Sequence, residues 1–225
     1  MTTVDDDSRW GIGGRAGMPL RRAALTLAMV LVAGCATSEA PPLRYHALRL
    51  DRPQATPATP APPRAAPGPG AFAGAWQLVA PVRLPDYLDR DVMWVPGEGG
   101  ALVPLDGHRW AEPLRTAVPR LLAHDLGDWR GDGAVWGGAV PAGVEVGRQL
   151  RLELLEFGAT PDGKEVALRA KWAMVDPHGA DAPVLGEVRV MAPVASRSAG
   201  GLVDAHRLAL WRLAERVAQS AAGSR

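Results

Sequence analysis

The stretch RQLRLELLEFGATPDGKEVALRAKWAMVDPHG, Arg148 to Gly179, limits the fold more than any other part of the chain. Leu150, Leu152 and Leu154 alternate with Arg151 and Glu153. After Asp162-Gly163, the residues Val166, Leu168, Ala170, Trp172 and Met174 alternate with Glu165, Arg169 and Lys171. Successive side chains of a strand point to opposite faces, so this period of two predicts an antiparallel hairpin with one buried face. VLGEVRVMAPV, Val184 to Val194, supplies a third strand. The period then changes. Val203, Leu210, Leu213, Ala214 and Val217 recur at helical spacing, with Arg212, Glu215 and Arg216 opposite, and predict a helix from about Gly201 to Ala221.

Upstream the signals are shorter. PPLRYHALRL, Pro41 to Leu50, and GAWQLVAPVRL, Gly74 to Leu84, read as strands. VMWV and ALVPL form a hairpin across PGEGG. Leu114, Val118, Leu121 and Leu122 share one face of a helix from Glu112 to Leu126. Pro113 suits its first turn, but Pro119 is expected to kink the helix or delay its start. Residues 51–70, with seven prolines, form no core and are expected to be disordered, as a tether or as a loop after the first strand. Strands, helix, strand meander and helix in that order predict an α+β fold, a largely antiparallel sheet with two main helices packed on it.

The amino terminus follows different rules. Ala23 to Val32 is a run of about ten residues without charge, too short for a spanning helix of roughly 20. With Arg21 and Arg22 before it, the run suits a secretory signal over residues 1–34. Met18 begins a standard signal, so translation starts there or the first 17 residues are a dispensable extension. The tetrad Val32-Ala33-Gly34-Cys35 resembles the lipobox of bacterial lipoproteins. That resemblance implies cleavage between Gly34 and Cys35, diacylglycerol on the Cys35 thiol, and a lipidated tether over residues 35–42. Ala36, in place of an aspartate, implies the periplasmic face of the outer membrane. Cys35 is the only cysteine of 225 residues, which excludes an internal disulfide and a cysteine-based zinc cage.

Composition narrows the function. A formal net charge of +1 gives no argument for nucleic acid. The five histidines, His46, His108, His124, His178 and His206, form no metal-binding pair at helical spacing, and no nucleophile elbow or phosphate-binding loop occurs. His124-Asp125 reads as part of a solvated helix face. Glu153 and Glu156 sit at odd strand spacing and point to opposite faces unless a bulge intervenes. The chain is read as non-enzymatic, with no cofactor and no metal.

One region stands apart. PVRLPDYLDRDVMWV mixes Arg83, Asp86, Asp89 and Arg90 with Leu84, Pro85, Tyr87 and Leu88, and HRWAEPL follows with Trp110, Glu112 and Pro113. Apolar anchors with a charged rim suit a protein interface. A loop satisfied within itself, with Arg83 or Arg90 paired to Asp86 or Asp89, fits the residues equally well. YHALRL, PVRLPDYLDRDVMWV, HRWAEPL, RLELLEF, VALRAKWAMVDPHG and LVDAHRLALWRLAERVA, in this order over Leu43 to Ala221, resemble the ABC-type transport auxiliary lipoproteins and their PqiC-like branch.

The resemblance implies a domain over residues 43–222, anchored in the outer membrane. It also implies a periplasmic MCE-domain protein as partner in lipid transport between the membranes, and a homo-oligomeric ring around the partner's channel. It marks Arg83 to Arg90, Trp110, Glu112 and Pro113 as family hallmarks. Asp91 and Pro119 depart from the family pattern. The alternative reading is a lipoprotein that scaffolds or activates another envelope machine, such as cell-wall synthesis.

Overall fold

The computed structural model describes residues 42–53, 74–131 and 134–223. The signal, Gly34, Cys35 and most of the proline-rich stretch lie outside the described residues. Strands β6 (Val146–Ala159), β7 (Glu165–Val175) and β8 (Val184–Pro193) form the expected meander. Its turn is where the sequence places it. The Gly163 N–H donates to the Thr160 carbonyl at 2.7 Å, and Gly163 takes φ 67°, a left-handed conformation that favours glycine. Asp162 fixes the turn by accepting from Thr160 Oγ1 and from the Lys164 N–H.

Two parallel neighbours extend this meander to five strands. β2 (Ala75–Leu78) lies between β5 (Val135–Gly137) and β6, so the order is β5-β2-β6-β7-β8. β2 ends before Pro81, and the chain returns to the sheet at Arg83, which bridges to Glu153. A second sheet joins β1 (Arg44–His46), β4 (Leu102–Trp110) and β3 (Val92–Pro96) in the order β1-β4-β3. The antiparallel ladders β6–β7 and β7–β8 carry ten register pairs each and the parallel ones three or four, so the sheet system is α+β and largely antiparallel. Because β1 pairs with β4, the proline-rich stretch lies in the chain between two strands of one unit.

Helices α1 (Leu114–Arg130) and α2 (Ala199–Gly223) pack on each other, α2 against β7 and β8, and α1 against β5. The core holds the alternating residues of the meander, Leu150, Leu152, Leu154, Val166, Leu168 and Ala170, beneath the apolar stripes of both helices. Pro119 does not delay the start of α1, which runs through it as its sixth residue. The missing N–H leaves only the Arg115 carbonyl without its helical donor, and Arg115 is exposed, so water can take its place.

One charge reading meets the exception it allowed for, and another needs correction. A register shift between Leu154 and Glu156 sets Glu153 opposite Lys171 and Glu156 opposite Arg169. Lys171 and Arg169 share a face, so the bulge brings both glutamates to the open face of the sheet. There Glu156 meets Arg189 at 3.4 Å, while Glu187 holds Arg169 and Lys171. Asp125 does not belong to a solvated helix face. It is fully buried, and Arg207 of α2 grips it with two bonds of 2.6 and 2.7 Å. The second helix covers what would otherwise be the wet side of α1.

Candidate functional site

The two segments that the sequence singles out meet. Residues Asp86–Leu88 form one turn of 3-10 helix, closed by Leu88 N–H to the Pro85 carbonyl at 2.9 Å and Asp89 N–H to the Asp86 carbonyl at 3.1 Å. The Trp94 indole N–H donates to the Tyr87 carbonyl at 2.9 Å and ties the turn to β3. The Trp110 N–H donates to the Asp91 carbonyl at 2.6 Å, and Asp89 pairs with Arg115 of α1. Glu112 pairs with Arg120. The loop's ion pair therefore reaches to Arg115, just after the second segment, rather than closing on Arg83 or Arg90. The reason is chain geometry: Asp89 follows the 3-10 turn and faces the start of α1.

The residues of these segments divide by depth. Leu88 and Trp110 are in the core, with relative exposures of 5% each, and help to hold the surface from beneath. Leu84, Pro85 and Tyr87 are half-buried. Burial pushes the Tyr87 phenol up; a hydrogen bond from the Phe157 backbone pulls it down, and Glu156 raises it further. Arg83, Asp86, Arg90 and Pro113 are exposed, with Asp89 and Glu112 intermediate. Pro113 serves as N-cap of α1 at φ −57°, just before the helix rather than in its first turn.

Arg83 points the segment toward a second surface. It borders a depression of about 810 Å³ on the open face of the five-stranded sheet, floored by Ala173 and Leu185 and rimmed by Arg151, Glu153 and Lys171. Leu185 is 76% exposed, the most exposed large apolar side chain among the described residues. An apolar floor within mixed charges is the composition of a protein contact surface, and it is poorly arranged for proton transfer or metal binding. Among the described residues no group of three His, Cys, Asp or Glu could hold a metal ion, and no helix is long and apolar enough to cross a membrane.

Three polar features escaped the sequence reading. Arg207 joins Asp125 to the Arg49 and Leu50 carbonyls, at 2.9 and 3.4 Å, and so pins the end of the first segment to both helices. Burial raises the Asp125 carboxyl above its ordinary range, while the Arg207 and His124 contacts pull it back. His206 is buried between Trp110 and Phe157, edge-on to both at 5.4 and 4.7 Å. Its Nδ1 meets the Leu202 carbonyl at 2.8 Å, and burial lowers its pKa to about 4. His46 Nε2 and His108 Nδ1 share a hydrogen bond of 2.8 Å across β1 and β4. A signal for the first two existed. Positions 206 and 207 fall three and four residues after Val203, and four and three before Leu210, on the buried stripe of α2.

Comparison with known proteins agrees with this fold. The family model of the ABC-type transport auxiliary lipoprotein component matches residues 56–218. A crystal structure of an uncharacterized protein superposes with a TM-score of 0.58 at 15% identity, covering 79% of this chain and 97% of its own. A Xanthomonas campestris protein of the DUF330 family gives a TM-score of 0.58 at 15% identity, covering 78% of this chain and 92% of its own. At that identity these structures show the fold alone. No curated protein sequence matches the chain. With a family match over more than half its length, the chain belongs to the ABC-type transport auxiliary lipoproteins.

Proposed function

We propose that this protein is a lipid-anchored accessory of an ABC-type system moving lipid between the inner and outer membranes. It acts by protein contact with a periplasmic MCE-domain protein. Acylated Cys35 holds it at the periplasmic face of the outer membrane. With β1 inside the domain, about eight residues link Cys35 to the fold, under roughly 30 Å when extended.

The observation that carries the reading is the exposure of Arg83, Asp86 and Arg90 in one segment, with Arg83 bordering an apolar floor at Leu185. Charged groups around an apolar patch steer and orient a partner more than they bind it, and the apolar centre supplies most of the adhesion. A ring of copies around the partner's channel would present this surface several times.

The test is co-purification with the MCE-domain protein after membrane solubilisation. Arg83→Glu combined with Arg90→Glu is expected to reduce recovery, most at low salt, without changing the thermal melt, because both side chains are exposed. Full recovery of the partner by the double variant overturns the contact surface. Mass spectrometry of the mature amino terminus is expected to show a triacylated Cys35; an unmodified thiol overturns the anchor.

A further inference from the structure

The polar side of His206 is the starting point. The residue is 4% exposed, and its Nδ1 is committed to the Leu202 carbonyl. Among the described residues no group hydrogen-bonds its Nε2, yet the ring lines a cavity of about 210 Å³ between the two sheets. The other walls are mostly apolar, Leu88, Met93, Trp94, Trp110, Phe157 and Leu202 among them, with Tyr87 and Glu156 at the edge and Glu156 paired to Arg189. This is a mostly apolar pocket with a few polar groups, the usual composition of a small-molecule site.

A second space of about 270 Å³ adjoins it, shares Pro96, Ala159, Pro161 and Leu202 as wall residues, and runs to the start of α2. Two charged side chains line that outer end, Arg197 and Asp162. Asp162 is already held by Thr160 Oγ1, the Lys164 N–H and the Lys164 ammonium. Arg197 makes no ion pair among the described residues. Ser198 caps α2 by accepting from the Gly201 N–H at 3.1 Å, and the Leu202 N–H donates to the Ser198 carbonyl. The Ala199 and Gly200 amides have no partner among the described residues. A helix start with open amides carries partial positive charge.

We infer that these two adjoining spaces together bind one acyl chain of an anionic amphiphile. The chain lies between Trp110, Phe157 and Leu202. The anionic head meets Arg197 and the first amides of α2. A hydroxyl on the chain would find an acceptor at His206 Nε2. The site is separate from the partner surface at Arg83 and goes beyond the contact role proposed above.

The test uses the full chain carrying Cys35→Ser, so that no acyl group of its own competes. Bromine quenches indole fluorescence at short range, and Trp94 and Trp110 line the cavity. A bromine-tipped medium-chain carboxylate is expected to quench saturably, and its methyl ester more weakly. Ala159→Phe, in the wall shared by both spaces, is expected to remove saturable quenching. Arg197→Glu, at an exposed position, is expected to weaken binding roughly tenfold, the scale of one charge-assisted contact. Quenching that never saturates, or that is equal in Arg197→Glu and the parent, overturns the site. Thermal melts of each variant show whether Ala159→Phe remains folded, and Arg197→Glu decides the question if it does not. Failure here leaves the partner surface standing, since co-purification scores that separately.

Discussion

Acidification is expected to destabilise this domain through one buried imidazole. In the unfolded chain His206 has the ordinary value of 6.5; in the fold, burial lowers it to about 4. The unfolded chain therefore binds a proton that the native state refuses, and stability falls as pH drops from 6.5 towards 4. Each pH unit inside that window costs about 1.4 kcal/mol, and the loss levels off near 3 kcal/mol below it. Between about pH 7.5 and about pH 5 the expected loss from this group is roughly 2 kcal/mol. Its ring neighbours, Trp110 and Phe157, are uncharged; Glu156 lines the same cavity but turns to Arg189, and Arg207 is held by Asp125. The assay is urea unfolding at both pH values for the parent and for His206→Phe, which keeps an aromatic ring and removes the proton site. The variant loses the Leu202 hydrogen bond at both pH values, so that loss cancels in the difference. Other titrating groups, including His46, cancel in the same way. If parent and variant lose the same stability to within about 0.5 kcal/mol, the reasoning is refuted.

Two further outcomes follow from packing. Asp125→Asn is expected to destabilise the domain by about 3–5 kcal/mol in urea unfolding, because it leaves the Arg207 charge buried without its counter-ion; replacing both partners, Asp125→Leu with Arg207→Met, is expected to recover most of that loss. Gly186→Ala is expected to cost about 1–3 kcal/mol by the same measurement, since a Cβ there would lie 2.1 Å from the Trp172 ring, a rigid aromatic with little room to move.

The sequence by itself determined the parts whose signal is local and repeated. The meander at Arg148 to Val194 and its turn at Asp162-Gly163 follow from a period of two and from turn chemistry, and α2 follows from its stripe. The same patterns named the α+β class, and the quoted segments in their order resembled the family that the model match then showed.

Tertiary structure decided what depends on neighbours distant in sequence. Parallel pairing of β2 with β5 and β6 joins segments about 60 to 70 residues apart, and no local period reports it. Whether Asp125 is wet depends on a second helix 82 residues away laying Arg207 over it. The bulge that turns Glu153 and Glu156 to one face is a choice of register rather than of composition. The segments that the sequence singles out show the same division. Their mixture of apolar and charged residues was visible in the sequence, but packing put Leu88 and Trp110 inside while Arg83, Asp86 and Arg90 stayed out. Burial is a property of what covers a residue, and the covering elements come from the rest of the chain.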